Sequence, residues 1–318
     1  MAGLEDSRQV RPSTARARDD IERAHLRDPA DRTFEIYRYA PPEELSCWIR
    51  RYWIPVWDVP EPAGREQKVL QYPVTLAVVS STYAHFIGPQ RGLSTNVLAG
   101  RGWAFGVMLA PAAGALLLGT SVSELTDRRV PLETIAALAE LPDRLRQIMS
   151  EDPSAVAAHE AGRRLVEERL RTLGDPDQES RLVNALVTAV EDDPGLTSVG
   201  QLCERFGLTE RTVQRLTARR LGLSPLWLIR RRRLHEAAER LRERPRNLAD
   251  VAAELGYADQ AHFSRDFRTA TGMTPGSSPG CRPQGQRPDP TVRSRKARIS
   301  AVTSSRLVSL SSSCRASG

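Results

Sequence analysis

The stretch Thr197–Pro225, TSVGQLCERFGLTERTVQRLTARRLGLSP, is written a second time at Asn247–Pro275, NLADVAAELGYADQAHFSRDFRTATGMTP. In the first copy Val199, Leu202, Cys203 and Phe206 stand at i, i+3, i+4 and i+7, and Gly207 ends the run. That spacing gathers apolar side chains on one face of a helix. Leu248, Val251, Ala252 and Leu255 repeat it 49 residues on, and Gly256 ends it again. Past the glycines the offset becomes 50: Thr209 matches Asp259, Val213 matches Phe263, Arg215 matches Arg265, Gly222 matches Gly272, and Ser224-Pro225 matches Thr274-Pro275. Two copies are too few for a stacked solenoid, so the duplication predicts a tandem pair of helical units.

Each copy reads as a short amphipathic helix, a tight glycine turn and a second helix opened by a capping residue, Thr209 or Asp259. A capping side chain accepts from the N–H groups that the first helical turn leaves free. This order is the signature of a helix-turn-helix, whose second helix enters the major groove of DNA with its N-terminal residues at base edges. The expected reading helices are 209–221 and 259–271. In the first, Val213 and Leu216 face the core, which leaves Arg211, Thr212, Gln214 and Arg215 for the groove beside the Thr209 cap. In the second, Phe263 and Phe267 anchor, which leaves Gln260, His262, Ser264 and Arg265 beside the Asp259 cap. Arginine suits guanine O6/N7 and glutamine suits adenine N6/N7, each through two parallel hydrogen bonds.

Between the copies, Ser224 caps a further helix that has Pro225 in its first turn, where a missing N–H costs little. This segment, LWLIRRRRLHEAAERLRER at 226–244, carries Leu234, Ala237, Ala238 and Leu241 on one stripe. It is expected to be a rigid spacer, because two helices can enter successive grooves on one DNA face only about 34 Å apart. The run Arg230–Arg233 is expected near phosphates, with Arg230 and Arg232 as the contacts that fix register without specifying sequence.

Upstream, the texture differs. From Phe34 to about Val130 short aromatic and β-branched runs (FEIYRYA, CWIRRYWIPVWDV, KVLQYPVTLAVVSSTYAHFIG) alternate with Pro- and Gly-bearing turns, which predicts a small antiparallel β domain. After Ala110 the pattern turns helical, with Leu132–Met149, Ala155–Leu173 and Glu179–Glu191 as expected helices. Asp175-Pro176-Asp177 and Asp192-Asp193-Pro194-Gly195 mark turns. The expected organisation is a disordered arm at 1–32, a sensing and dimerisation domain at 33–175, a DNA-binding domain at 179–280 and a disordered basic tail at 281–318. Deleting residues 282–318 is expected to leave sequence discrimination unchanged.

Charge alone is a poor guide. The chain of 318 residues carries +7, but the tail 281–318, with eight Lys and Arg against one Asp, supplies that much by itself. Residues 181–280 carry +4 and residues 1–180 carry −4. No apolar run reaches the ~18 residues of a membrane span, and the charged N-terminus lacks a secretory h-region. Cys47, Cys203, Cys281 and Cys314 are scattered, which indicates neither a paired-Cys zinc site nor a disulfide framework, and a cytoplasmic location is expected.

With these residues in place, Leu196–Pro279 resembles the DNA-binding domain of the AraC/XylS transcription regulators. The resemblance is carried by GYADQAHFSRDF at 256–267, GMTP at 272–275 and LSPLWLIRRRRL at 223–234. It implies seven helices in two subdomains, and it implies double-stranded promoter DNA, RNA polymerase, a small-molecule effector and a second copy of the chain as partners. Phe34–Val130 resembles the cupin-like domains that precede such units, so the fold class is α+β, an antiparallel cupin-like domain followed by an all-α tandem helix-turn-helix. Two positions depart from the family: Thr217 replaces an aromatic residue, so looser packing is expected there, and Gly276–Gly280 replaces the usual end of the last helix.

A pocket inside the β domain is one expectation for Trp53, Trp57, Tyr83 and Trp103, and core packing is the other. His85 is the single histidine of the strand region, too few for a cupin metal site, so neither metal nor cofactor is expected. The competing class, an enzyme with its catalytic site in the β domain, finds no nucleophile elbow, phosphate-binding glycine loop or HExxH. The clustered cysteines of the family's DNA-repair relatives are missing too, and the chain is read as non-enzymatic.

Overall fold

In Ile49–Val59 (β2) Tyr52 and Ile54 are buried while Trp53 and Pro55 turn the other way, the two-residue alternation of a strand with one face on a core. A computed structural model describes residues 33–60, 64–70, 72–243, 247–271 and 274–275. The other strands are β1 (Phe34–Tyr39), β3 (Arg65–Leu70), β4 (Leu76–Ser80), β5 (Ala84–Ile87), β6 (Leu93–Leu98), β7 (Gly100–Leu109) and β8 (Arg129–Pro131). Six form one antiparallel sheet in the order β1-β2-β7-β4-β5-β8, and β3 pairs with β6 in a separate ribbon. This is the small antiparallel β domain expected from sequence. The arm at 1–32 and the tail at 281–318 lie outside the described residues.

One face of the sheet is covered by α2 (Leu141–Met149) and α3 (Val156–Arg171), so that Tyr52, Phe86 and Phe105 share a core with Leu145, Met149, Leu165 and Leu170. Gly162 lets α3 approach, since a Cβ there would stand 2.6 Å from the Phe105 ring. The aromatic residues of the strands do not line one pocket. Val56 faces Trp103 across β2 and β7, which puts Trp103 on the core side, while Trp53 and Trp57 lie over Gly106 and Gly102 on the opposite face. Tyr83 is partly exposed and stacks on His85 at 5.0 Å, and burial followed by Arg129 holds His85 below its usual pKa.

The helix expected at Leu132–Met149 is corrected to three successive tight turns and a shorter helix. Ile135, Leu138 and Leu141 each bond back to the carbonyl three residues earlier. These turns bury Leu132, Ile135, Leu138 and Leu141 at a three-residue interval that the sequence cannot distinguish from helical spacing.

Beyond a short α1 (Ala113–Leu118), the C-terminal half contains α4 (Gln178–Asp192), α5 (Val199–Phe206), α6 (Glu210–Leu221), α7 (Pro225–Glu243), α8 (Leu248–Glu254) and α9 (Gln260–Thr271). They enclose two cores. Val183, Leu186, Leu202, Val213, Leu216, Leu228 and Ile229 form the first; Leu234, Ala237, Leu241, Val251, Tyr257, Phe263 and Phe267 form the second. Helix α7, 19 residues and so about 28 Å long, is thus a wall of both.

Candidate nucleic-acid interface

The turn of the first unit forms because Gly207 adopts φ 63°, a left-handed conformation that costs glycine little, and it donates back to Glu204. Thr209 then caps α6 by accepting from the Thr212 amide at 3.3 Å. The second unit repeats the device, with Gly256 at φ 71° and Asp259 accepting from the His262 amide at 2.7 Å. Ser224 caps α7 through the Trp227 amide at 3.1 Å.

On α6, Val213 and Leu216 are buried and Arg211, Gln214 and Arg215 are exposed. Helical turn angles of about 100° per residue put Arg211 and Arg215 nearly opposite Val213, with Gln214 at the flank. Thr212 is half-buried, its hydroxyl 2.9 Å from that of Thr209. Thr217, the departure from the family pattern, is fully buried with its hydroxyl donating to the Gln214 carbonyl at 3.3 Å. On α9, Phe263 and Phe267 are fully buried, Gln260 and Arg265 are exposed and Ser264 is half-buried. His262 is half-buried too, edge-on to Tyr257 at 5.3 Å and 3.7 Å from Asp266 Oδ2, so it takes part in packing the turn. Burial pushes the Tyr257 hydroxyl up to about 12.

The arginine run does not present a single basic face. Arg230 alone of the four is exposed, as expected of a phosphate contact. Arg232 is a correction: it is buried, and its guanidinium donates to the Pro194 and Leu196 carbonyls at 3.1 Å and pairs with Glu236. Arg231 is buried against Tyr72 of the β domain, at 4.2 Å from the ring centroid. Arg233 turns to the second unit, donating to the Leu255 carbonyl and lying 4.2 Å from the Tyr257 centroid. Successive helix positions point about 100° apart, so one run reaches solvent, the β domain, the first unit and the second unit in turn. Sequence reasoning missed these ties because their partners lie on other elements.

The β domain also meets the first unit at the far end of α6. Thr126 Oγ1 donates to the Gly222 carbonyl at 3.0 Å, and Ala112 donates to Asn184 Oδ1 at 2.9 Å while packing into the first helical core. Arg220, buried on the side of α6 away from Arg211, bonds Asp177 and Glu179 at 2.8 Å each. Among the described residues no group of His, Cys, Asp and Glu could hold a metal ion, and no helix is long and apolar enough to cross a membrane.

Parts of the chain are similar to known proteins. A family model described as a helix-turn-helix domain matches residues 202–278, and one described as a domain of unknown function, DUF6597, matches residues 37–131. The HTH-type transcriptional activator RhaS of Escherichia fergusonii is 33% identical over 153 residues, 46% of this chain and 55% of that protein. RhaS of Pectobacterium carotovorum subsp. carotovorum is 36% identical over 78 residues, 24% of this chain and 28% of that protein. The chain therefore spans about half the length of the first of these relatives and about a quarter of the second. Among solved structures, ToxT from Vibrio cholerae O395 aligns over 77% of this chain and 96% of its own at 12% identity and a TM-score of 0.32. The region from Leu202 to Ser278, whose described residues carry the paired turns, the caps and the shared spacer helix, is thus similar to a helix-turn-helix domain and to the RhaS transcriptional activators.

Proposed function

We propose that this chain is a sequence-specific transcription regulator that reads two adjacent major-groove segments of promoter DNA with α6 and α9. The observation that carries the reading is the pairing of two capped helices whose exposed N-terminal halves bear Arg211, Gln214 and Arg215 in one unit and Gln260 and Arg265 in the other. The remaining expected contacts, Thr209, Thr212, Asp259, His262 and Ser264, flank them, and Arg230 meets phosphate. The relatives are named transcriptional activators, and that activity is carried over to this chain as part of the proposal.

In this reading residues 33–175 sense a small molecule and dimerise, residues 179–280 bind DNA, RNA polymerase is the partner at the promoter, and the protein works in the cytoplasm. A gel-shift series with purified protein on its own upstream DNA tests it. Tighter binding to that DNA than to a scrambled copy is expected; equal affinity for both rejects sequence-specific regulation.

A further inference from the structure

The first residue of α6 is an acid in a helix otherwise rich in arginine. Glu210 is exposed, and among the described residues no cation lies within ion-pair distance of its carboxylate. Its partner is one turn on: Gln214 Nε2 donates to Glu210 Oε1 at 2.8 Å. A carboxylate can only accept, so this bond fixes which end of the Gln214 amide faces it. One of the two N–H groups of the amide is committed, leaving one N–H and the carbonyl oxygen for the groove.

We infer that Glu210 is a positioning residue that makes Gln214 select adenine over guanine. One donor beside one acceptor complements adenine N7 and N6–H2, whereas guanine offers two acceptors, N7 and O6. A free glutamine can turn its amino group toward guanine. Held by Glu210 it sets a carbonyl oxygen against O6, with the acidic charge behind it. Arg211 and Arg215, without intramolecular partners among the described residues, sit on the neighbouring face for flanking guanines or phosphates. The inference deepens the proposed function and rests on it, since it assumes that α6 lies in the groove.

The test is selection from a randomised DNA library followed by titration of the best site and its single-base variants. The wild-type chain, Glu210→Ala, Glu210→Gln and Gln214→Ala are compared. The wild type is expected to favour adenine over guanine by roughly tenfold or more at one position of the first half-site, the size of one bidentate base contact. Gln214→Ala abolishes that preference. Glu210→Ala reduces it to about threefold or less at the same position, leaving the preferences of the second half-site intact. Glu210→Gln, whose amide donates as well as accepts, no longer dictates which end of Gln214 faces it and reduces the preference as Glu210→Ala does. An unchanged adenine preference in Glu210→Ala overturns this inference while leaving the regulator reading standing. A wild-type chain that selects no sequence at all overturns both.

Discussion

The Arg231 guanidinium lies 4.2 Å from the centroid of the Tyr72 ring, which joins a buried cation on α7 to the β domain. Burial pushes the Arg231 pKa down to about 10, so the ring and nearby Glu191 only partly offset the loss of water. Tyr72→Leu removes the ring and leaves the cation, and should lower stability by about 2 kcal/mol, the value of a desolvated cation–π contact. Arg231→Met removes the charge with its desolvation cost and keeps much of the volume, and should cost less than about 1 kcal/mol. Thermal unfolding of both variants checks the order, and a larger loss for Arg231→Met would contradict it.

Arg230 and Arg232 should separate by assay. Arg230→Ala is expected to reduce the slope of log affinity against log salt by about 1 while leaving the melting temperature in place. Arg232→Ala should leave the slope alone and destabilise the protein by about 3 kcal/mol, because it strips two buried carbonyls and Glu236 of a charged donor.

Gly162→Ala sets two effects against each other. Alanine improves helix propensity by about 1 kcal/mol, but its methyl group would press on the Phe105 ring, and overpacking costs about 1–3 kcal/mol. A net loss of stability in a urea titration is expected, and a gain would show that α3 can move away from the sheet at little cost.

Asp177 gives an acid-side signature. Burial raises its pKa, but the Ser180 amide and side chain and then Arg220 outweigh that and hold it below its ordinary value of 3.8. A carboxylate whose folded pKa is depressed adds stability above its unfolded pKa, and that stability is lost as pH falls through the folded value. Stability should therefore decline below about pH 4, and Asp177→Asn should be less stable at neutral pH with a flatter decline. Urea midpoints measured across this range check it.

Arg265→Ala should weaken binding by about 1–3 kcal/mol on the cognate site and much less on scrambled DNA if the side chain reads guanine. A uniform loss on both would reassign Arg265 to phosphate.

Local punctuation made the helical half legible in advance. Gly207, Thr209, Ser224, Gly256 and Asp259 act on backbone within three or four residues of themselves, so their spacing carried the turns and caps directly. The burial of Arg232 is not legible in the same way, because its carbonyl partners are 36 and 38 residues away, a distance that pattern cannot cross. The bond from Gln214 to Glu210 was within reach, since i and i+4 side chains are helix neighbours. The turns at Leu132–Leu141 show the converse, a periodicity that two backbone geometries share.

The three inner arginines make α7 a keyed shaft. Arg231, Arg232 and Arg233 engage three different bodies from consecutive positions, so the rotational phase between the two reading helices is written into a residue count. A single residue inserted between Arg232 and Arg233 would turn the second unit by about 100° and advance it ~1.5 Å, with each unit still folded. The surface of this helix is free to drift, but its length is not, and the spacing of any operator the protein recognises inherits that constraint.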